Sequence, residues 1–69
     1  MKVSLRKKKI ARNRESLYLD FYHHGKRSYQ FLRLYLEPGQ TREEREEVRR
    51  IAERIRSRRQ IELSAGNLG

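Results

Sequence analysis

The sequence has no cysteine and no long apolar run, and these absences narrow what the chain can be. Without cysteine it forms neither a disulfide framework nor a thiolate zinc site, and this suits a reducing cytoplasm. No run approaches the roughly 18 apolar residues of a membrane-spanning helix. The basic N-terminus also lacks the apolar stretch of a signal peptide. We therefore expect no membrane association and no secretion.

Motifs for catalysis and cofactor binding are also missing. The five serines have no histidine at a suggestive spacing, and no glycine-rich phosphate loop occurs. His23 and His24 are adjacent in a predicted turn, where neighbours do not converge on one metal ion without further ligands. We expect a solvated histidine pair that could still donate to a phosphate. The chain alone is expected to have no enzyme activity, metal, cofactor or small-molecule substrate.

Positive charge is concentrated in the first half of this 69-residue chain, whose net charge is +9. Residues 1–36 carry ten Lys or Arg against two acids, whereas residues 37–69 carry eight Arg against seven Glu. A single domain of this size buries only about 60% of its unfolded surface, so the core must be thin. Segregated basic charge indicates a polyanionic partner, usually nucleic acid and less often an anionic membrane surface.

Three alternating segments predict β-strands at about 3–8, 16–22 and 28–36. Residues 9–15 are polar and basic and are predicted to form a loop. Gly25 favours a tight hairpin between the second and third strands, because it tolerates a positive φ.

The register of this hairpin decides which side chains form the core. A two- or four-residue turn places Tyr18 opposite Phe31 and Leu17 opposite Leu32, whereas a three-residue turn exchanges the two faces. The first option groups the leucines at 17, 19, 32 and 34 inward and leaves Arg33 outside, although it also exposes Phe31. It is the interpretation we favour, and the side on which Phe31 lies stays open at this point.

The C-terminal half predicts one helix over about 42–63. Thr41 and Glu44 have the spacing of a capping box. An apolar stripe follows at Val48, Ile51, Ala52 and Ile55, and Gly66 is a plausible stop. One apolar sheet face and one apolar helix stripe can bury each other. The predicted fold is therefore α+β, with a three-stranded antiparallel sheet packed on one face by a C-terminal α-helix.

The other sheet face is left for a partner, and cations and tyrosines belong to it or extend it. Lys and Arg neutralise phosphates, Arg also pairs with guanine in the major groove, and tyrosine contacts phosphates or stacks on bases. The candidate DNA-binding residues are Arg6, Lys7, Lys8, Arg12, Arg14, Tyr18, Tyr22, Lys26, Arg27 and Arg33. The alternatives are an RNA-binding module that uses the same basic sheet, or a protein-interaction domain that uses the arginine-rich helix.

The chain resembles the N-terminal arm-type DNA-binding domain of tyrosine recombinases, the integrases of phages and conjugative transposons. The resemblance lies in "KVSLRKKKI", "SLYLDFYHHGKRSYQFLRLYL", "REEREEVRRIAERIRSRRQIEL" and "GNLG", of which the second segment is the most specific. It implies that residues 1–65 form the domain and that 66–69 begin a linker to a core-binding domain absent from this chain. Position 33 departs from the family, which often has a smaller residue there.

The resemblance also implies a function in site-specific recombination and DNA integration. The sheet would lie in the major groove of arm-type sites on double-stranded DNA, and the helix would meet neighbouring recombinase subunits. The catalytic tyrosine would belong to a later domain, so none of the four tyrosines here (Tyr18, Tyr22, Tyr29, Tyr35) is expected to be a nucleophile. The expected location is the bacterial cytoplasm, in association with the nucleoid of a cell that carries the mobile element.

Overall fold

A computed structural model describes residues 1–66 as one sheet and one helix. The strands are β1 (Lys2–Ile10), β2 (Arg14–His23) and β3 (Lys26–Leu36), and the helix is α1 (Arg42–Gly66). The sheet is antiparallel with strand order β1-β2-β3. The predicted α+β architecture is confirmed. The proposed linker lies almost wholly outside the described residues, and no helix within those residues could cross a membrane.

The connection between β1 and β2 is much shorter than predicted. A loop over 9–15 is wrong, because both strands continue into it and only a 3₁₀ turn at Ala11–Asn13 separates them. Arg12 and Asn13 have φ of 64° and 59°, and this left-handed pair reverses the chain within three residues. Lys9 pairs with Glu15 in the ladder. The sequence pattern did not reveal these strand ends, because their side chains are polar. Backbone hydrogen bonds form the ladder there whatever the side chains are.

A two-residue turn at His24 and Gly25 joins β2 to β3. Both residues have positive φ, 50° and 78°, as a type I′ hairpin turn requires. This turn places Tyr18 opposite Phe31, as the favoured register predicted. Phe31 is 52% exposed and lies on the sheet face away from the helix, so the open question about its position is answered.

The register changes beyond Tyr18 because β3 contains a bulge. Leu17 pairs with Leu34, so the predicted pairing of Leu17 with Leu32 is wrong. Leu32 and Arg33 lie between the two paired positions as additional residues of β3. An insertion of two residues keeps the alternation of faces. Leu32 and Leu34 therefore both pack toward the helix, as predicted.

The core lies between the sheet and α1. Its buried apolar residues are Val3, Leu17, Leu19, Leu36 and Ala52, with Leu5, Leu32, Leu34 and Val48 packed around part of this set. Ala52 is fully buried, so the helix backbone lies close to the sheet at that point.

One member of the predicted apolar stripe lies outside the core. Ile51 is 37% exposed, so its prediction as a core residue is wrong. The contacts of α1 with the sheet run from Val48 and Ala52 to Arg56 and Arg59. With 3.6 residues per turn, that line leaves Ile51 on the flank of the helix.

Hydrogen bonds fix both ends of α1. The predicted capping box is confirmed: Thr41 N–H donates to Glu44 Oε1 at 3.0 Å, and Glu44 N–H donates to Thr41 Oγ1 at 3.1 Å. These bonds lower the pKa of Glu44 below its ordinary value. Toward the other end, Gln60 Oε1 accepts from Val3 N–H at 2.8 Å, and Arg56 donates to the Val3 carbonyl at 3.2 Å. The helix is thus tied to β1 by polar contacts as well as by the core.

Candidate nucleic-acid interface

The sheet face opposite α1 is uncovered, and we call it the open face. The register places on it the side chains of Lys2, Ser4, Arg6, Lys8, Arg14, Ser16, Tyr18, Asp20, Tyr22, Arg27, Tyr29, Phe31 and Tyr35. These residues combine five cations with one acid, and the aromatic side chains lie between the cations. It therefore joins a positive field to flat apolar groups.

The structure brings together most of the predicted DNA-binding residues. Six of them lie on the open face: Arg6, Lys8, Arg14, Tyr18, Tyr22 and Arg27. Arg12 is exposed in the β1–β2 turn, and Arg33 is exposed at the bulge.

Two predicted cations lie on the side of the sheet that faces α1. Lys7 is opposite Leu17, and its Nζ is 3.5 Å from the Glu15 carboxylate. Lys26 is opposite His23 at the hairpin tip, where it is exposed. Lys7 and Lys26 therefore do not belong to the open face.

Two arginines of the open face rest on tyrosine rings. The Arg14 guanidinium carbon is 5.7 Å from the ring centroid of Tyr35, and the corresponding distance from Arg27 to Tyr22 is 5.5 Å. Both distances fall within the range of a cation–π contact. The rings restrict the two flexible side chains and hold their charges over the face.

Sequence reasoning did not select three aromatic residues that dominate the middle and one end of the open face. Tyr29 and Phe31 are 56% and 52% exposed, and Tyr35 joins them on β3. The rings of Tyr29 and Phe31 form a cluster with Tyr18, whose ring centroid is 5.8 Å from that of Tyr29 and 5.1 Å from that of Phe31. The signal was present in the period-two spacing of 29, 31 and 35, which assigns these residues to one face.

Asp20 was also missed, and it is the acid at the centre of this face. Its side chain is almost fully buried on the central strand, and Oδ2 accepts from Arg6 Nε at 2.8 Å. Its other oxygen, Oδ1, is buried and has no hydrogen-bond donor among residues 1–66. An unpaired buried acceptor generally costs about 1–3 kcal/mol, or more for a charged group.

Arg33 occupies a strained backbone conformation. Its φ of 57° is in the left-handed region, which costs a residue with a side chain roughly 1–2 kcal/mol relative to the right-handed one. Strain of this kind often accompanies a functional position. The bulge therefore retains an exposed cation at a backbone position better suited to glycine.

The two histidines at the hairpin tip pack against each other. Their ring centroids are 3.9 Å apart. Desolvation, followed by the charge of His24, lowers the pKa of His23 below its ordinary value. Residues 1–66 contain no group of three metal-ligating side chains that could hold an ion. The hairpin tip is thus a polar end of the sheet without a metal-binding geometry.

Comparison with known proteins agrees with this geometry. A family model described as "Arm DNA-binding domain" matches residues 3–65, nearly the whole chain. Searches of curated proteins and of solved structures gave no match. Domains of this family are non-catalytic DNA-binding modules. The chain therefore belongs to the Arm DNA-binding domain family, a domain type typical of the N-termini of tyrosine recombinases.

Proposed function

We propose that the open face enters the major groove of double-stranded DNA at the arm-type sites of a site-specific recombinase. The observation that carries this proposal is the one-sided packing of α1. The helix covers the leucine face and leaves Arg6, Lys8, Arg14 and Arg27 together on the other side. A small domain that exposes this much aromatic and cationic surface on a flat face has a surface suited to a polyanion.

The dimensions of the sheet favour the major groove. Three strands spaced about 4.8 Å apart span roughly 10 Å of backbone. The major groove of B-DNA is about 12 Å wide, whereas the minor groove is only about 6 Å wide. The sheet can therefore present its face to base edges in the major groove, while cations at its margins reach the phosphates.

The positions of the cations suggest a division of roles. Lys8, Arg12 and Arg14 lie near the β1–β2 turn at one end of the sheet, where they would meet the phosphate backbone. Arg6 lies in the middle of β1, opposite Tyr18 of the central strand β2. In this position it would face base edges. Phosphate contacts position a protein on DNA, and base contacts specify the sequence.

The wider role follows from the family. We infer that the chain is the N-terminal module of an integrase that tethers the enzyme to accessory sites while later domains cut and join DNA. Such an enzyme would serve a phage or another mobile element and act at the bacterial nucleoid. The outer face of α1 would meet a neighbouring recombinase subunit, since Ile61 is 65% exposed there among arginines and glutamates.

Single-stranded nucleic acid and RNA fit the open face less well. Double-helical RNA has a deep, narrow major groove that a sheet cannot enter. Binding to single strands uses ring faces that are free to stack on bases. Here Tyr22 and Tyr35 have guanidinium groups over their rings, and Tyr18 packs between Tyr29 and Phe31.

An NMR titration tests the partner and the binding face together. Duplex DNA is expected to shift the backbone amides of open-face residues such as Arg6, Tyr18 and Arg27, and to leave those of Glu47 and Arg54 on α1 unchanged. Single-stranded DNA and RNA of the same sequence are the controls and should give weaker shifts. Equal or stronger responses to RNA, or shifts confined to α1, would contradict the proposal.

Arg33→Gly is expected to weaken duplex binding without lowering stability. Glycine adopts a φ of 57° without strain, so the bulge is retained while the cation is lost. The loss of one phosphate or base contact should reduce affinity by roughly tenfold, and selection from a random duplex pool should show an altered sequence preference if Arg33 contacts bases. Thermal unfolding and duplex titration measure the two effects separately.

Lys26→Ala is the matched control for Arg33→Gly. It also removes one charge, but at the hairpin tip and away from the bulge. This change should weaken binding to every duplex about equally. An Arg33→Gly variant that melts earlier than the parent would contradict backbone strain at position 33. A variant that weakens binding to all duplexes equally, as Lys26→Ala does, would show that Arg33 does not read bases.

A further inference from the structure

We propose that Asp20 and Arg6 form a single base-reading unit, in which Asp20 orients the Arg6 guanidinium toward a guanine. Arg6 would make the contact with the base, and Asp20 would be a positioning residue. This inference rests on the proposed function, because it requires a duplex on the open face. Beyond that function, it names guanine as the base that is read, and Arg6 and Asp20 as the residues that read it.

The geometry of the pair leaves the correct edge of Arg6 available. Asp20 Oδ2 accepts only from Nε of Arg6, at 2.8 Å. Guanidinium is planar and carries five N–H donors, so the two terminal nitrogens still have donors to offer. Their parallel N–H groups match O6 and N7 of guanine, the commonest specific pairing in the major groove. The Arg6 side chain is 51% exposed, so this edge is accessible.

The burial of Asp20 indicates a role beyond packing. The residue is 4% exposed, yet its Oδ1 atom has no donor among the described residues. It lines a groove in the open face together with Lys2, Arg6 and Arg27, so a ligand in that groove lies next to the carboxylate. A carboxylate placed only for stability would be expected to use both oxygens. Asp20 instead uses one oxygen, and uses it on the exposed arginine.

The other arginines of the face are held differently. Arg14 and Arg27 rest on tyrosine rings. Arg14 Nε also donates to the Ala11 carbonyl, but at 3.5 Å, and its guanidinium is 3.8 Å from the nearest carboxylate oxygen of Glu37. The bond from Arg6 to Asp20 is shorter, at 2.8 Å, and joins two charged groups, so it restricts its guanidinium more strongly. Pre-organisation of this kind favours a bidentate contact.

The experiment begins with duplexes selected by this chain from a random pool. Each guanine of the selected site is then replaced by 7-deazaguanine, which lacks the N7 acceptor. The parent chain should lose affinity at one guanine, by at most the roughly 5- to 150-fold that a complete bidentate pair contributes, since O6 is retained. Arg6→Met keeps most of the aliphatic stem but has no N–H donor, so its affinity should no longer depend on N7 of that guanine.

Asp20→Leu gives a prediction in which charge and orientation have opposite effects, because leucine has a similar size but no acceptor for Arg6 Nε. The change removes a negative charge, so electrostatics alone would strengthen binding to every duplex. If Asp20 orients Arg6, the variant should instead lose most of its discrimination for the guanine. Glu15→Gln is the matched control, since it makes the same charge change beside Lys7 on the helix side of the sheet. It should keep the discrimination.

The outcomes separate this inference from the proposed function. Loss of guanine discrimination in Asp20→Leu and Arg6→Met, but not in Glu15→Gln, supports the pair. Discrimination that survives in Arg6→Met overturns it, even if Asp20→Leu fails to fold. Discrimination that survives in a folded Asp20→Leu also overturns it, while duplex binding by the parent chain still stands. A parent chain that binds no duplex overturns both.

Discussion

Raising the salt concentration from 50 to 200 mM is expected to weaken duplex binding by about 10²- to 10³-fold. In the proposed complex, phosphates would be contacted by Lys8, Arg12, Arg14, Arg27 and Arg33. The expected number of phosphate contacts is therefore about four to six, and each contributes a slope of roughly −0.9 to log affinity against log salt. Titrations of one duplex at several salt concentrations measure the slope.

Two matched substitutions test whether the cations of the open face cause this salt dependence. Lys8→Ala should reduce the magnitude of the slope by about one, because it removes one phosphate contact. Arg49→Ala removes the same charge from an exposed position on α1 and should leave the slope unchanged. An affinity that does not vary with salt, or equal effects of the two substitutions, would exclude electrostatic binding through this face.

Leu19→Ala is expected to destabilise the domain by about 2–5 kcal/mol. Leu19 is fully buried on the central strand, so truncation leaves a cavity as well as losing apolar burial. A domain of this length has a total stability of roughly 3–10 kcal/mol, so one such change removes much of it. Chemical denaturation followed by circular dichroism gives the free energy of unfolding.

Ile51→Ala provides the contrast for Leu19→Ala. The sequence predicts Ile51 as a core residue, whose truncation would cost about 2–5 kcal/mol. The structure places it on the flank of α1, 37% exposed, so the expected cost is below about 1 kcal/mol. If Ile51→Ala and Leu19→Ala were equally destabilising, the helix would be packed through a different face.

The fold was predictable where local chemistry and hydrophobic pattern agree. Alternation in β2, the turn at Gly25 and the Thr41–Glu44 capping box each predicted a feature that the structure confirms. The bulge in β3 was not predictable, because Arg33 has a positive φ without the glycine or asparagine that usually indicates one. The bulge in turn moved the partner of Leu17 from Leu32 to Leu34.

The candidate site was predictable to the extent that it follows strand parity. Arg6, Lys8, Tyr18 and Tyr22 share a face because even-numbered positions of β1 and β2 do. Lys7 was selected for its charge, although its odd number places it with the leucines. Asp20 also has an even number and so belongs to the open face. However, the sequence does not show which of the many nearby cations a single acid pairs with. Its significance appears only with the 2.8 Å contact to Arg6.

The polar contacts between α1 and β1 protect part of an exposed sheet edge from pairing with another copy of the domain. Exposed strand edges recruit strands from other chains and begin aggregation. At Val3 the outward N–H and carbonyl are already occupied by Gln60 and Arg56. The opposite edge, β3, is interrupted by its bulge and by a charged residue. Strand addition from a neighbouring copy is therefore blocked at Val3 and hindered at the β3 bulge.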